Sequence, residues 1–405
     1  MHVSPVTSVG VIGAGFVGAQ HVEALRRIPG VRVAALAAST PASAKVAAAR
    51  LDVPPAPDAR AVLEDPSIDA VHICTPNHLH AEAVIAALSA GKHVICEKPL
   101  AFDAREAREV ARAAAASDRV TVLCHNYRFY PMVAELLARV RAGALGPIRT
   151  ARGQYLQDWL LLPTDANWRL DPERGGRSRA IADIGTHWID LAEAVLGTEL
   201  ESVLADVRTV IPRRVRGSRP SFSNAAPSPA GPSEADWYDV ATEDEAGLML
   251  RFQGGTAGRL TVSQVAAGHK NDLQLALDGE TASATWRQEN PDQLFIGRRD
   301  GGNETLHRGA EPGGGGAGLA RLPSGHPEGW ADGLRNLFAA AYGVIRGETT
   351  REDLPVPLPT FMDGYRHQLA VEAALESSAR GGWVTIAEVE VAIVGPTGVA
   401  AGLTS

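Results

Sequence analysis

The sequence predicts an α/β protein in two parts: an N-terminal doubly wound parallel sheet, then an α+β domain built on a mostly antiparallel sheet. Three observations carry this. Over residues 1–125, short β-branched runs alternate with alanine-rich amphipathic stretches, the rhythm of βαβ units on a parallel sheet. From residue 126 onward the rhythm changes to strands separated by Gly-rich turns, which implies antiparallel neighbours. A length of 405 residues also exceeds what one hydrophobic core organises well.

In the first part, strands are predicted at residues 8–12, 32–37, 69–74, 93–96 and 120–124. Helices fall between them at 16–27, at 79–89 with Gly91 as a stop, and at 105–116 behind the capping residue Asp103. In the second part a helix over 131–141 leads to strands at 247–252, 258–265 and 272–277. The chain closes with a helix over 361–378 and a short strand at 383–386. The expected division is therefore 1–125, 126–390 and a tail, 391–405. Stretches near 212–232 and 300–320 are read as mobile surface loops, because Pro, Ser, Gly and Arg dominate the first and the second holds the run Gly313-Gly314-Gly315-Gly316. On that reading Arg213, Arg214, Arg216 and Arg219 are solvated.

Composition narrows the function. Hydrophobic residues make up 45% and charged residues 21%, and the net charge is −8, so a polyanion such as nucleic acid is excluded as the main partner. No basic segment leads into an apolar one at the N-terminus, and no apolar run approaches the roughly 18 residues a membrane span needs, so a cytoplasmic location is expected. Cys74, Cys96 and Cys124 end or interrupt apolar runs without metal-ligand spacing and read as reduced, buried thiols.

Gly13-Ala14-Gly15-Phe16-Val17-Gly18 follows the first apolar strand and opens a helix, the place where a dinucleotide fingerprint belongs. Gly13 permits the tight turn, Gly15 lets the backbone approach a pyrophosphate, and Gly18 lets helix and strand pack closely. The carboxylate that would bind the adenosine ribose is expected about 20 residues on, where the chain reads Ala37-Ala38-Ser39-Thr40. With neither a carboxylate nor an arginine there, both NAD and NADP remain open, NAD being favoured, and Ser39 is the candidate ribose contact. Thr75-Pro76-Asn77-His78 and Glu97-Lys98-Pro99 each follow a predicted strand, at the carboxyl edge where ligands of doubly wound sheets bind. His78 and His80 have the spacing of metal ligands, but they open a helix and lack a third ligand, so no metal is expected. Far downstream, Asp183 and His187 stand four apart on a predicted helix and share a face. Lysine, histidine and aspartate together suit alcohol oxidation, in which a base takes the hydroxyl proton and a cation steadies the developing alkoxide. Gln157, Asp158, Trp159, Trp168 and Arg169 lie in a stretch rich in aromatic and polar residues, fit for a sugar. Tyr127 and Arg128 either line the cleft or pack the domain junction.

At these residues the sequence resembles the Gfo/Idh/MocA family of sugar and polyol oxidoreductases. The resemblance rests on the glycine fingerprint, Thr75-Pro76-Asn77, Glu97-Lys98-Pro99, His125-Asn126-Tyr127-Arg128-Phe129, Gly175-Gly176 with Asp183 and His187, and Pro359-Thr360-Phe361-Met362-Asp363-Gly364. It implies an N-terminal Rossmann domain and a C-terminal domain with a large open antiparallel sheet used for dimer or tetramer contacts. It also implies that Lys98 contacts the reacting hydroxyl, His187 is the acid/base and Asp183 orients both. Gly13, Gly15, Phe16, Val17, Gly18, Thr75, Asn77, His80, Glu97 and Lys98 would form the cofactor site. Two departures stand out: the missing acidic residue after the second strand, and Arg177 and Arg179 ahead of Asp183. The expected function is hydride transfer between NAD(P) and a secondary alcohol of a sugar, inositol or related polyol. The alternatives are transient oxidation serving elimination or epimerisation, and a non-catalytic dinucleotide sensor.

Overall fold

The computed structural model describes residues 6–216, 219–220, 233–309, 316 and 318–394. Among the described residues the chain divides into two compact units, one holding 6–135 together with 309–365, the other 136–308 together with 366–394.

The first unit is a five-stranded parallel sheet. Its strands are β1 (Thr7–Ile12), β2 (Val31–Ala37), β3 (Ala70–Ile73), β4 (His93–Cys96) and β5 (Thr121–Leu123), in the order β2-β1-β3-β4-β5. Helices α1 (Phe16–Arg26), α2 (Pro41–Leu51), α3 (Ala59–Glu64), α4 (His80–Ser89) and α5 (Ala104–Ala115) connect them. Strands buried on both faces need continuous apolar runs, and every residue of β1, β3 and β5 is buried. The strand order reverses between β1 and β3, so the ligand crevice of this topology opens beside those two carboxyl ends. The register aligns that edge: Ile12 pairs with Ile73, Ile73 with Cys96, and Cys96 with Leu123. The residues after those strands, Gly13, Cys74, Glu97 and Cys124, therefore stand in one row.

The compact units cut across the expected boundary at 125. Helix Trp330–Ile345, which begins 205 residues past that point in sequence, belongs to the first unit, where Leu334, Leu337, Phe338, Ala341 and Tyr342 join a core with Val9, Val22, Leu25 and Val122. A linear reading misses this because the helix's apolar stripe shows that it packs, not what it packs on. The motif 359–364 also docks here. The Pro359 carbonyl accepts the Leu123 N–H at 3.0 Å, Thr360 and Asp363 cap the helix start reciprocally, and a Cβ on Gly364 would press against Leu100 and Leu123.

The second unit is a nine-stranded sheet, in spatial order Glu304–His307, Gln293–Arg298, Ala282–Arg287, Asp272–Gly279, Ile148–Leu156, Ala257–Ser263, Glu245–Phe252, Leu200–Arg208 and Val384–Thr385. Only Ile148–Leu156 and Ala257–Ser263 pair in parallel. One face is apolar: Ala246, Leu248, Leu250 and Phe252 are buried, while Gly247, Met249 and Arg251 alternate outward. Helix Thr186–Leu196 sits against the inner face through Trp188, whose indole N–H donates to the Gln274 carbonyl at 2.9 Å. Gly153 makes room for that contact, since a Cβ there would collide with the Gln274 carbonyl and the indole nitrogen.

Both expected loops need correction where they are described. Arg213–Val215 is a strand paired with Trp237–Asp239, and Arg214 is fully buried, donating to the Leu160 and Leu162 carbonyls and to Asp244. Glu304–His307 is the sheet's edge strand, and Arg308 is buried against Asp292. Composition mislabelled both because a buried arginine held by a carboxylate is chemically sound and compositionally invisible. Residues 221–232 and 310–315, and the tail from 395, lie outside the described residues.

Candidate functional site

The glycine fingerprint folds as its spacing requires. Gly13 has φ +108°, open to glycine, and a Cβ on Gly18 would overlap the Gly13 carbonyl. Gly15 differs: a Cβ built there meets no atom within 4 Å. Its lack of a side chain serves nothing inside the protein and keeps open the space ahead of α1. That helix start has no side-chain cap and no acidic residue in its first turn, an arrangement suited to an anion. Thr75, in the next turn of the edge, carries a buried Oγ1 with no hydrogen-bond partner among the described residues. An uncapped helix start, a clear approach to it and a waiting hydroxyl fit a dinucleotide. Phe16 stacks on Trp330 at 6.4 Å, Val17 is half-buried beside it, and Asn77 is buried in the turn after β3. Ser39 is exposed past β2, whereas Thr40 is engaged with Ser43 in the capping box of α2.

The turn after β4 carries Glu97 and Lys98. His80 does not reach outward as a ligand. Its Nδ1 lies 2.8 Å from the Pro99 carbonyl and its Nε2 2.8 Å from the Thr75 carbonyl, which makes it a brace between the two motif turns. Burial would push the Glu97 carboxyl up, but the hydrogen bond and charge of His21, then Lys98 and the Cys124 thiol, bring it down to about 2. Tyr127 stacks on Tyr130, and Arg128 donates to the Pro357 carbonyl at 3.4 Å beside Asp363, contacts that lie within the first unit.

In the second unit, Asp183 and His187 do not lie on one continuous α-helix. Residues Ile181–Gly185 form a π-turn that runs into helix Thr186–Leu196, a local widening that recurs at functional sites. The turn is capped from afar: Glu243 Oε1 accepts the Ser178 hydroxyl and the backbone N–H groups of Arg179 and Ile181 at 2.7–2.9 Å. Asp183 is then clamped on both oxygens, Oδ1 by Arg169 Nε at 3.1 Å and Oδ2 by the Gln264 amide at 3.0 Å. Gln264 Oε1 accepts from Arg179, which with Arg214 shares Asp244, all fully buried. Of the two unusual arginines, Arg179 thus anchors the site, and Arg177 is an exposed partner of Glu372. Arg169 lies over the Trp168 ring at 4.5 Å, which brings Trp168, Arg169 and Asp183 together. His187 is buried near Tyr155, ring centroids 6.1 Å apart.

Asp158 and Trp159 are spent elsewhere. The carboxylate takes the Lys270 ammonium at 2.6 Å and the Gly268 N–H at 3.0 Å. The Trp159 indole donates to Gln157 at 2.6 Å, and its ring packs on Leu160, Leu170 and Val240. Sequence reasoning missed Gln264, Glu243, Asp244 and Arg179 as positioning groups, and His21 as Glu97's partner. The available signal was polar residues at buried positions of apolar patterns, such as His21 among Gly18, Val22 and Leu25.

A parallel sheet with this fingerprint, joined to a domain that clamps an aspartate near a histidine, defines a dinucleotide-dependent oxidoreductase. The family models agree: residues 7–125 match the GFO/IDH/MocA oxidoreductase family with its NAD-binding Rossmann fold, and residues 133–285 match the GFO/IDH/MocA C-terminal domain. The chain belongs to that family. It is similar to levoglucosan dehydrogenase of Pseudarthrobacter phenanthrenivorans, 33% identical over 94% of this chain and 98% of the relative. Among solved structures, levoglucosan dehydrogenase in complex with NADH and levoglucosan superposes with a TM-score of 0.83 at 32% identity, covering 94% of this chain and 98% of that one. An inositol dehydrogenase homolog from Azotobacter vinelandii, complexed with NADH and myo-inositol, superposes with a TM-score of 0.79 at 26% identity, covering 94% and 98%. No helix among the described residues is long and apolar enough to cross a membrane.

Proposed function

We propose that this protein is an NAD-dependent dehydrogenase of a secondary alcohol on a sugar, anhydrosugar or cyclitol. The observation that carries the reading is the row at the sheet's carboxyl edge: an uncapped α1 with open space before Gly15, the unpartnered Thr75 hydroxyl, and the Glu97-Lys98 turn. Levoglucosan and myo-inositol in the similar structures support the substrate class. The α1 amides hold the pyrophosphate, and the nicotinamide, when bound, supplies the hydride acceptor. His187 takes the hydroxyl proton as the carbinol C–H bond breaks and a C=O bond forms. Lys98 hydrogen-bonds the same oxygen and steadies its developing charge. Asp183, clamped by Arg169 and Gln264, orients the substrate and the histidine. Trp168 offers a ring face to sugar C–H groups. The absence of an arginine near Ser39 favours NAD over NADP. The exposed face of the nine-stranded sheet, with Met249 outward, supports a homodimer or homotetramer.

The test is a panel of levoglucosan, myo-inositol and common aldoses with each cofactor, followed by nicotinamide absorbance. Net reduction of NAD with at least one member is expected. Absence of net reduction throughout, with cofactor bound, sinks the dehydrogenase reading.

A further inference from the structure

Behind the Glu97-Lys98 turn lies a chain of titratable groups that the chemistry above does not use. His21 on α1, His72 on β3 and Tyr342 on helix Trp330–Ile345 are all fully buried. His21 Nε2 is 2.9 Å from Glu97 Oε1, His21 Nδ1 is 2.8 Å from His72 Nδ1, and His72 Nε2 is 2.8 Å from the Tyr342 hydroxyl. Phe338 packs edge-on against both imidazoles, at 4.7 and 4.6 Å, and fixes their planes.

Hydrogen-bond chemistry fixes the head of this chain. A carboxylate only accepts, so His21 Nε2 carries the proton facing Glu97. Two lone pairs cannot face each other at 2.8 Å, so one proton lies between His21 Nδ1 and His72 Nδ1 and another between His72 Nε2 and the Tyr342 hydroxyl, which together lock the His21 ring from behind. Burial, then His21, holds His72 well below the ordinary range and keeps it neutral, and burial pushes Tyr342 far up and keeps it protonated. Other groups face the chain. Cys74 Sγ lies 3.2 Å from His21 Nδ1, and Cys74, Cys96 and Cys124 are buried thiols pushed well up, and so donors at most. His80 is held by two carbonyls, Lys98 lies beside Glu97, and Asp69 and Arg346 act on Tyr342 from opposite signs.

We propose that His21, braced from behind by His72 and Tyr342, is a positioning residue whose Nε2–H fixes the Glu97 carboxylate at the nicotinamide end of the cofactor site, favouring the oxidised, cationic cofactor over the reduced, neutral one. The inference rests on the dehydrogenase reading for the place of the nicotinamide, and on geometry alone for the chain. A fixed anion discriminates between a ring that carries a positive charge and one that does not. Without the His21 N–H, burial raises the proton affinity of the carboxyl, so Glu97 neutralises on the acid side and the discrimination fades.

The test compares dissociation constants of NAD and NADH for the full-length protein, by calorimetry and nicotinamide fluorescence. His21→Met is expected to weaken NAD binding about tenfold and NADH binding by less than about threefold, the scale of one charge-assisted hydrogen bond, with the gap widening as pH falls. His21→Gln, whose amide N–H can replace Nε2–H, should restore most of the loss. Equal weakening of both forms, or a gap indifferent to pH, overturns the proposal. Should His21→Met fail to fold, imidazole nitrogen NMR of the wild type decides: a proton on His21 Nε2 supports the proposal, and an unprotonated Nε2 overturns it. Redox-selective binding that follows the chain in a protein that oxidises no sugar leaves the chain standing and removes the dehydrogenase reading. Sugar oxidation with equal losses of both cofactor forms does the reverse.

Discussion

Lys98 and His187 are assigned tasks that matter only as charge moves, so their removal should act on turnover rather than on cofactor binding. Lys98→Ala and His187→Ala are each expected to lower kcat by roughly 10² or more, with NAD affinity little changed. Steady-state kinetics beside a binding titration checks both, and wild-type turnover in a folded variant would contradict the assignment. Because His187 must be neutral to accept a proton, alcohol oxidation should fall toward acid pH, and a pH–rate profile checks this. Gly15→Val should do the opposite of Lys98→Ala. The open space ahead of α1 would receive a side chain, weakening the cofactor while the fold and melting temperature stay intact. At this scale the glycine fingerprint was legible in the sequence, and Lys98 and His187 stood out as candidates there, because such chemistry travels with short motifs. The partners that hold them were not: His80 read as a cofactor contact, and its ring turns out to be buried between the Thr75 and Pro99 carbonyls, each 2.8 Å from a ring nitrogen.

Among the elements, the π-turn Ile181–Gly185 matters most for Asp183, and it depends on a cap from another part of the chain. Glu243 accepts three hydrogen bonds at the start of that turn, and burial pushes its carboxyl above the ordinary range in spite of them. The folded protein therefore binds that proton more tightly than the unfolded chain. Its contribution to stability is full below the ordinary carboxylate range, near 4.5, and declines as pH rises through the raised value. Glu243→Ala should leave two backbone N–H groups without their acceptor, lower the melting temperature by several degrees and reduce kcat together with it. A variant that melts like the wild type would show that the cap is not needed. Arg214 supplies a second case. The composition of residues 212–232 suggests that their removal is harmless, yet Arg214 is fully buried on Asp244 and on the Leu160 and Leu162 carbonyls. Arg214→Met should cost about 3 kcal/mol by chemical denaturation, because it leaves a buried acceptor set and unbalances the Arg179–Asp244 pair. A loss under about 0.5 kcal/mol, the scale of an ordinary surface substitution, would return this strand to the class of dispensable loops.

For the whole molecule, the nine-stranded sheet leaves one face with Met249, Arg259, Thr261, Arg152 and Gln154 around a shallow cavity of about 420 Å³. If this face meets its like in a second copy, Met249→Asp should lower the sedimentation mass without unfolding the protein. A wild type that sediments as a monomer at micromolar concentration would contradict the assembly. The sequence alone determined the βαβ rhythm, the change to antiparallel strands, the glycine turn and the motifs that mark the chemistry. All of these are local, written in side-chain periods of two and 3.6 residues and in the turn preferences of glycine. Tertiary structure decided which distant groups meet. Helix Trp330–Ile345 joins the first unit's core, Gln264 reaches Asp183 across 81 residues, and Tyr342 reaches His72 across 270. Periodicity tells each segment which face to bury, but the partner of a buried polar group is set by strand order and helix docking. An unpaired buried donor or acceptor costs about 1–3 kcal/mol, so the folded arrangement must supply each one with a partner that no window of sequence can name.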